Sequence, residues 1–130
     1  MPVGRLITLV LEVADLAAAE RFYREGLGLD LHVGADNDAG DDRWISGDHA
    51  AISWNDGGAF LHFSLYQAKQ APTRAAQVAF ATNDIAADHA RLMAFGAKVI
   101  HPPRPEPWGT TARYHDPDGN VVSLTQTSAP

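Results

Sequence analysis

The sequence predicts an α+β domain in which one structural unit occurs twice. The segment "LVLEVADLAAAERFYREGLGL" aligns without a gap with "VAFATNDIAADHARLMAFGAK", so that Leu9 falls on Val78. Further along, "NDGGAFLHFSL" aligns with "DPDGNVVSLTQ", so that Asn55 falls on Asp116. In both copies a strand pattern precedes a helix pattern, and further strands follow. The 130 residues are the size of one domain. We therefore expect a single domain, residues 1–130, duplicated as residues 4–67 and 75–127.

The first unit begins with a strand that has one buried face. Its apolar residues alternate with a mixed set, which is typical of a half-buried strand. The apolar set is Ile7, Leu9, Leu11 and Val13, and the mixed set is Thr8, Val10 and Glu12. A helix is predicted next, because Asp15 is a good N-cap and an apolar stripe follows at helical spacing. The stripe contains Leu16, Ala19, Phe22 or Tyr23, and Leu27, with Gly26 and Gly28 as possible ends.

The second unit repeats this plan. Asp84 is the expected N-cap of its helix, and Ile85, Leu92 and Phe95 form the apolar stripe. Gly96 is the expected end of that helix.

Both units continue through a turn into a two-faced strand. "NDGG" and "DPDG" contain the residue types of tight turns, so we interpret both as hairpin turns and not as calcium loops. "DNDAGDD", at residues 36–42, is interpreted as a solvated acidic loop, because it lacks the glutamate that closes a calcium loop. After the turns, Leu61, Phe63 and Leu65 alternate with Phe60, His62, Ser64 and Tyr66, and Val122 and Leu124 alternate with Val121, Ser123 and Thr125. The apolar faces should contact the helices, and the mixed faces should line a concave interior that could hold a ligand.

Composition excludes several classes of function. The formal net charge is −6, which argues against nucleic acids and anionic membranes as partners. The absence of cysteine excludes disulfides and thiol nucleophiles. No signal-peptide pattern and no apolar run of about 20 residues is found, so a cytoplasmic location is the expectation.

The duplicated unit ending in "DPDGNVVSL" resembles the vicinal oxygen chelate superfamily, which includes glyoxalase I, extradiol dioxygenases, epimerases and bleomycin-resistance proteins. The resemblance is strongest in "VADLAAAERFYREGLGL" and "RYHDPDGNVVSLTQ". It implies two tandem βαβββ modules that form a cupped mixed sheet, often completed in a homodimer.

The resemblance also implies four metal-ligand positions, and this chain departs from the family there. The metalloenzymes usually carry His, Glu or Gln at the positions that match Thr8, His62, Gln77 and Ser123. A catalytic divalent ion usually needs about three protein ligands, and a carboxylate commonly offsets its charge. These four residues supply one imidazole, one amide, two hydroxyls and no carboxylate. We therefore expect no metal cofactor; if a metal does bind, His62 and Gln77 are its candidate ligands.

Aromatic side chains are the remaining candidates for ligand contact. Trp108 lies in "HPPRPEPWGTTARY", a proline-stiffened loop that could cover a planar ligand or pack into an interface. Trp44 and Trp54 could likewise line a pocket or belong to the core. Arg113 could pair with a ligand anion or with Glu12. The expected ligand-binding residues are Thr8, Phe60, His62, Tyr66, Gln77, Trp108, Arg113 and Ser123.

Three functions are compatible with these residues. The first is a metal-free binding protein of the bleomycin-resistance type, which sequesters a small aromatic or cationic compound. The second is a divalent-metal-dependent lyase, isomerase or dioxygenase that uses His62 and Gln77. The third is a metal-free enzyme in which His62 is a general base and Tyr66 or Arg113 stabilises developing charge. The sequence favours the first, as a cytoplasmic homodimer.

Overall fold

The computed structural model describes residues 3–34, 49–57 and 59–127, which form two sheets of four strands each. The first sheet has the order β1-β4-β3-β2 and consists of β1 (Thr8–Val13), β2 (His32–Gly34), β3 (His49–Asp56) and β4 (Ala59–Gln67). The second has the order β5-β8-β7-β6 and consists of β5 (Gln77–Ala81), β6 (Lys98–Glu106), β7 (Gly109–His115) and β8 (Val121–Thr127). In each sheet the first strand pairs in parallel with the last, and the other pairs are antiparallel. The predicted α+β class and mixed βαβββ plan are confirmed.

The helix of the first module is short and widens into a π-helical turn. Helix α1 spans Leu16–Arg21, and the Asp15 carboxylate caps it by accepting a hydrogen bond of 3.2 Å from the Ala18 amide. The π-helical turn Phe22–Gly26 follows directly. Such a turn carries extra residues compared with an α-turn, so adjacent side chains can share one face. Phe22 and Tyr23 are consequently both in the core, 2% and 0% exposed, although an apolar stripe with α-helical spacing would include only one of them.

Helix α2 begins and ends where the sequence predicts. It spans Ile85–Phe95, and the Asp84 carboxylate accepts a hydrogen bond of 3.1 Å from the Ala87 amide. Gly96 ends it in the left-handed conformation, with φ of 95°. This conformation is easy for glycine because it has no Cβ. No helix in the described ranges is long and apolar enough to cross a membrane.

The two modules pack through their helix-facing sides. The ring centroids of Phe63 and Phe80 are 5.6 Å apart, and those of Trp54 and Phe80 are 6.2 Å apart. The first-module helical segment and α2 also meet, with Phe22 and Phe95 at 6.1 Å. The opposite, polar faces of the two sheets therefore point away from this junction. Strands β1 and β5 each lie at an edge of their own sheet.

The "DPDG" segment forms the hairpin turn predicted for it, between β7 and β8. Gly119 has φ of 91°, and its amide donates a hydrogen bond of 3.0 Å to the Asp116 carbonyl. Beyond the turn itself, the Asp116 carboxylate is buried and accepts a hydrogen bond of 2.7 Å from the Tyr23 hydroxyl. Burial, with the Asp116 charge beside it, raises the pKa of Tyr23 far above its usual value. The turn of the second module thus fastens the helical segment of the first.

Candidate functional site

The polar face of the first sheet brings together several of the predicted residues. Thr8 lies opposite His62 in the register of β1 and β4, and His62 lies opposite Ser53 on β3. The His62 Nδ1 atom is 2.7 Å from the Ser53 hydroxyl. Two rows along, the Tyr66 and His49 rings stack, with centroids 4.7 Å apart and planes 17° apart. This face therefore combines an oriented imidazole with a stacked pair of rings.

One end of the first sheet is apolar and exposed. Phe60, on β4, is 41% exposed. The segment before β1 also leaves Leu6 and Ile7 exposed, at 68% and 53%. The expectation that Ile7 starts the buried face is wrong for this chain, because β1 begins at Thr8 and Ile7 precedes the part covered by the helices. Only its backbone joins the sheet, by accepting a hydrogen bond of 2.8 Å from the His62 amide.

The polar face of the second sheet carries the other predicted residues. His101, Arg113 and Ser123 lie opposite one another across β6, β7 and β8. Ser123 is only 5% exposed, whereas Gln77 at the start of β5 is exposed. Among the described residues, four buried polar side-chain atoms have no hydrogen-bond partner, and they are His101 Nε2, Arg113 Nε, His115 Nδ1 and Ser123 Oγ. All four belong to β6, β7 or β8.

The predicted ligand set is thus divided between two surfaces of the chain. Thr8, Phe60, His62 and Tyr66 belong to the first sheet, and Gln77, Arg113 and Ser123 belong to the second. The division follows from the junction, because each sheet turns its helix side towards the other module. No ion pair joins Arg113 to a carboxylate such as Glu12 within the described part of the chain.

The tryptophans take different positions. Trp108 lies at the turn between β6 and β7 and is 57% exposed. Trp54 is part of the module junction, against Phe80. Trp44 and the "DNDAGDD" loop lie outside the described residues.

A groove of 670 Å³ lies at the module junction, and sequence reasoning missed it. Its apolar wall includes Leu27, Leu29, Trp54, Leu61, Phe80 and Leu124, and its polar residues are Thr82, Asn83 and Asp88. No residue of the predicted ligand set lines it. The groove is created by the packing of modules that are distant in sequence, so no local pattern indicates it.

His89 lies on α2 and contacts the second sheet. Its position on α2 beside Asp88 suggests a solvated face, but the His89 Nδ1 atom is 2.7 Å from the buried Tyr114 hydroxyl. Burial raises the pKa of Tyr114 to about 12, and the Asp88 carboxylate adds to the shift. Asp88 in turn bonds the Thr82 hydroxyl and pairs with Arg91 at 2.7 Å. Arg91 also donates hydrogen bonds of 2.9 Å to the Gly26 and Leu27 carbonyls, so these side chains join α2 to the first module as well as to the second sheet.

Within one chain, the residues at the family's metal-ligand positions are divided between the two sheets. The His62 Nδ1 atom contacts the Ser53 hydroxyl, so Nε2 is the atom of this ring that could hold an ion, and Gln77 lies on the other sheet. Ser123 offers a neutral hydroxyl, which binds these ions poorly. Within residues 3–34, 49–57 and 59–127, no group of three His, Cys, Asp or Glu side chains is placed to hold a metal ion.

Comparison with known proteins agrees with the fold. The family model of the Glyoxalase/Bleomycin resistance protein/Dioxygenase superfamily matches residues 5–124. TnmS3, an antibiotic binding protein from Streptomyces sp. CB03234, is 28% identical with a TM-score of 0.71, over 98% of this chain and 99% of that chain. A glyoxalase/bleomycin resistance protein from the same organism is 28% identical with a TM-score of 0.67, over 94% and 100% of the two chains.

A superfamily member from Sphaerobacter thermophilus shares the fold at 23% identity, with a TM-score of 0.66 over 95% and 98% of the two chains. No curated protein sequence matches. The chain belongs to the glyoxalase/bleomycin resistance protein/dioxygenase superfamily.

Proposed function

We propose that this protein is a metal-free binding protein that sequesters a small aromatic or cationic organic compound on its polar sheet faces. The observation that carries the proposal is the make-up of those faces. They present two hydroxyls, one amide and one imidazole at the positions where the family's metalloenzymes carry metal ligands, and the first sheet adds the rings of Phe60 and Tyr66. The likeness to TnmS3, an antibiotic binding protein, supports small-molecule binding as the function.

The first sheet supplies the groups that a planar cation would need. The Tyr66 ring is held against His49 by stacking, and Glu12 lies opposite Tyr66 in the register of β1 and β4. A cation over an aromatic ring gains about 0.5–2 kcal/mol, and a nearby carboxylate adds a Coulombic attraction. Phe60 extends the same face with a further exposed ring.

We further propose that the protein acts as a homodimer in the cytoplasm. Leu6, Ile7 and Phe60 expose apolar surface at one end of the first sheet. The two polar faces of one chain point away from each other, so a second copy could place its second sheet against the first sheet of its partner. Such an arrangement would enclose a ligand between the two faces and cover the edges of β1 and β5.

The metal-free part of the proposal is tested by metal analysis. Elemental analysis of the purified protein and titration with Zn²⁺, Ni²⁺, Mn²⁺ and Fe²⁺ should give no stoichiometric binding at micromolar metal. His62→Ala is the control, because the alternative metalloenzyme would use His62 and Gln77. Stoichiometric binding that disappears in His62→Ala would contradict the proposal and favour the alternative of a metal-dependent lyase, isomerase or dioxygenase.

The binding part is tested with a planar cationic probe. Proflavine titration, followed by tryptophan fluorescence and calorimetry, should show saturable binding. Tyr66→Ala should weaken that binding about tenfold, because this loss of affinity corresponds to the upper part of the cation–π energy range. Tyr114→Phe is the matched control, because Tyr114 is buried on the helix-facing side of the second sheet and should leave proflavine affinity unchanged.

A further inference from the structure

The unpartnered polar atoms of the second sheet are concentrated on one face. His101 lies opposite Arg113, and Arg113 lies opposite Ser123, so the three side chains form a row across β6, β7 and β8. His115 occupies the next row of the same face, opposite Lys98. Buried polar groups in folded proteins are nearly always hydrogen-bonded, so a group of exceptions on one face requires an explanation.

The chemistry of this row favours an anionic oxygen. Arg113 Nε can only donate a hydrogen bond, and it is buried without a partner in the described structure. Ser123 adds a hydroxyl at 5% exposure, and hydroxyls can donate. The His101 Nδ1 atom is 2.9 Å from the Pro102 carbonyl oxygen, and the Nε2 atom of the same ring is buried without a partner among the described residues.

The charge on this face agrees with that chemistry. The protein has a net charge of −6, yet Lys98, Arg113 and two histidines lie on this face of the second sheet. Among the described residues of β6, the carboxylate of Glu106 is paired with Arg104, Nε to Oε1, at 2.9 Å. Glu106 lies opposite Gly109, four residues along β7 from Arg113, which is about 13 Å. No described ion pair neutralises Arg113.

We propose that Arg113 and Ser123, in the row that His101 shares, form a subsite that binds the carboxylate of an aromatic acid. The inference rests on the proposed binding function and deepens it, because it assigns an acidic group to the aromatic ligand. Arginine suits this task because its guanidinium forms charge-assisted hydrogen bonds with carboxylates. The bound carboxylate would accept the hydrogen bonds that Arg113 and Ser123 leave unmade.

Two probes with the same ring test the subsite. Calorimetric titration with 2-naphthoate and with 2-naphthamide compares a carboxylate with a neutral amide on one aromatic system. Naphthoate should bind at least about tenfold more tightly, because hydrogen bonds to a charged group are the stronger ones. Arg113→Met should remove most of that difference by weakening naphthoate binding about tenfold, while naphthamide affinity changes less than about twofold.

Control variants separate the subsite from general effects. Arg21→Met makes the same substitution at an exposed position on α1 and should leave both affinities unchanged. Ser123→Ala preserves the guanidinium and should weaken naphthoate about threefold, which keeps the test informative if Arg113→Met does not fold. Arg113→Lys should recover part of the naphthoate affinity, because it restores the charge without the guanidinium geometry.

The outcomes distinguish this inference from the function on which it rests. If both probes bind with equal affinity, and neither Arg113→Met nor Ser123→Ala changes that affinity, the carboxylate subsite is overturned. The binding function itself would still stand. Failure of both probes and of proflavine to bind at millimolar concentration would contradict the binding function as well.

Discussion

Asn120 ends the turn between β7 and β8 and is fully buried. Its side-chain amide donates to the Thr73 carbonyl and to the Asp116 carboxylate, both at 3.0 Å, and its side-chain oxygen accepts from the Ala76 amide, also at 3.0 Å. Thr73 and Ala76 belong to the segment that connects the two modules. The turn residue therefore holds the connecting segment in place as well as the hairpin.

Asn120→Ala should lower the free energy of unfolding by about 3 kcal/mol. The substitution leaves buried donors and acceptors without partners, and each such group costs about 1–3 kcal/mol. Urea unfolding followed by circular dichroism measures the loss. Asn55→Ala, at an exposed position on β3, is the control and should change stability by less than about 0.5 kcal/mol. A loss below about 1 kcal/mol at Asn120 would show that this network contributes little.

Tyr114 makes stability depend on alkaline pH. Its pKa in the folded protein is about 12, against an ordinary value of 10.0, so the folded state retains the phenol proton longer than the unfolded state. The resulting stabilisation is fully present below about pH 10 and is lost as the pH rises towards about 12. The free energy of unfolding, measured at intervals from about pH 9 to 11.5, should therefore fall across this window. In Tyr114→Phe the fall should be shallower, and an unchanged slope would contradict the assignment.

At the residue scale, the sequence predicted local structure, such as a turn, better than it predicted which distant side chains form hydrogen bonds. The residue types in "DPDG" correctly indicated a tight turn, because turn preference is a local property. The hydrogen bond from Tyr23 to Asp116 joins residues 93 positions apart, and no local pattern reports it. The same limitation applies to the contact of His89 with Tyr114, because Tyr114 lies on a strand 25 positions later.

Glycine has two different roles at the ends of the elements in the second module. Gly109, at the start of β7, has φ of 148°, and a Cβ there would lie 2.3 Å from the Gln126 carbonyl oxygen on β8. Gly96, after α2, has φ of 95°, but a Cβ there would meet no atom within 4 Å. Both positions favour glycine conformationally, and only Gly109 also requires it for close approach of two strands.

The two alanine substitutions should therefore differ in cost. Gly96→Ala should destabilise by about 1 kcal/mol, the usual penalty for a left-handed non-glycine residue. Gly109→Ala should cost at least about 3 kcal/mol, because the backbone of β8 must move. Thermal unfolding of the two variants under identical conditions makes the comparison. A larger loss at Gly96 than at Gly109 would be inconsistent with the close approach of β7 and β8.

At the element scale, period-2 alternation was the most reliable signal. It assigned Thr8 and His62 to one polar face and Ser123 to another, and the strand registers confirm that placement. Helical spacing was less exact, because the π-helical turn buries Phe22 and Tyr23 together. A π-helical turn depends on tertiary packing around it, so a sequence stripe of 3.6-residue period does not report it.

For the whole molecule, internal duplication predicted the modules but not how they meet. The repeat identifies equivalent strands and helices. It is compatible both with a cup formed by the two modules of one chain and with a cup formed by modules of two chains. The aromatic contacts of Phe80 with Phe63 and Trp54 join the helix sides, and they leave each polar face without its counterpart from the same chain. The arrangement is therefore decided by side-chain packing between modules, which alternation within a strand cannot indicate.

This arrangement leads to a prediction about oligomeric state. If the polar faces and the apolar segment around Ile7 meet a second copy, light scattering coupled to size-exclusion chromatography should give twice the 14.0 kDa mass of the chain. Ile7→Asp should weaken the dimer at least about tenfold, because burying an unpaired carboxylate is strongly unfavourable. The substitution preserves the bond from the His62 amide to the Ile7 carbonyl, so the fold should survive. Ala90→Asp, exposed on α2, is the control and should remain dimeric. A wild-type protein that is monomeric at every concentration would contradict the homodimer. Each polar face would then bind its ligand without a face from a second copy.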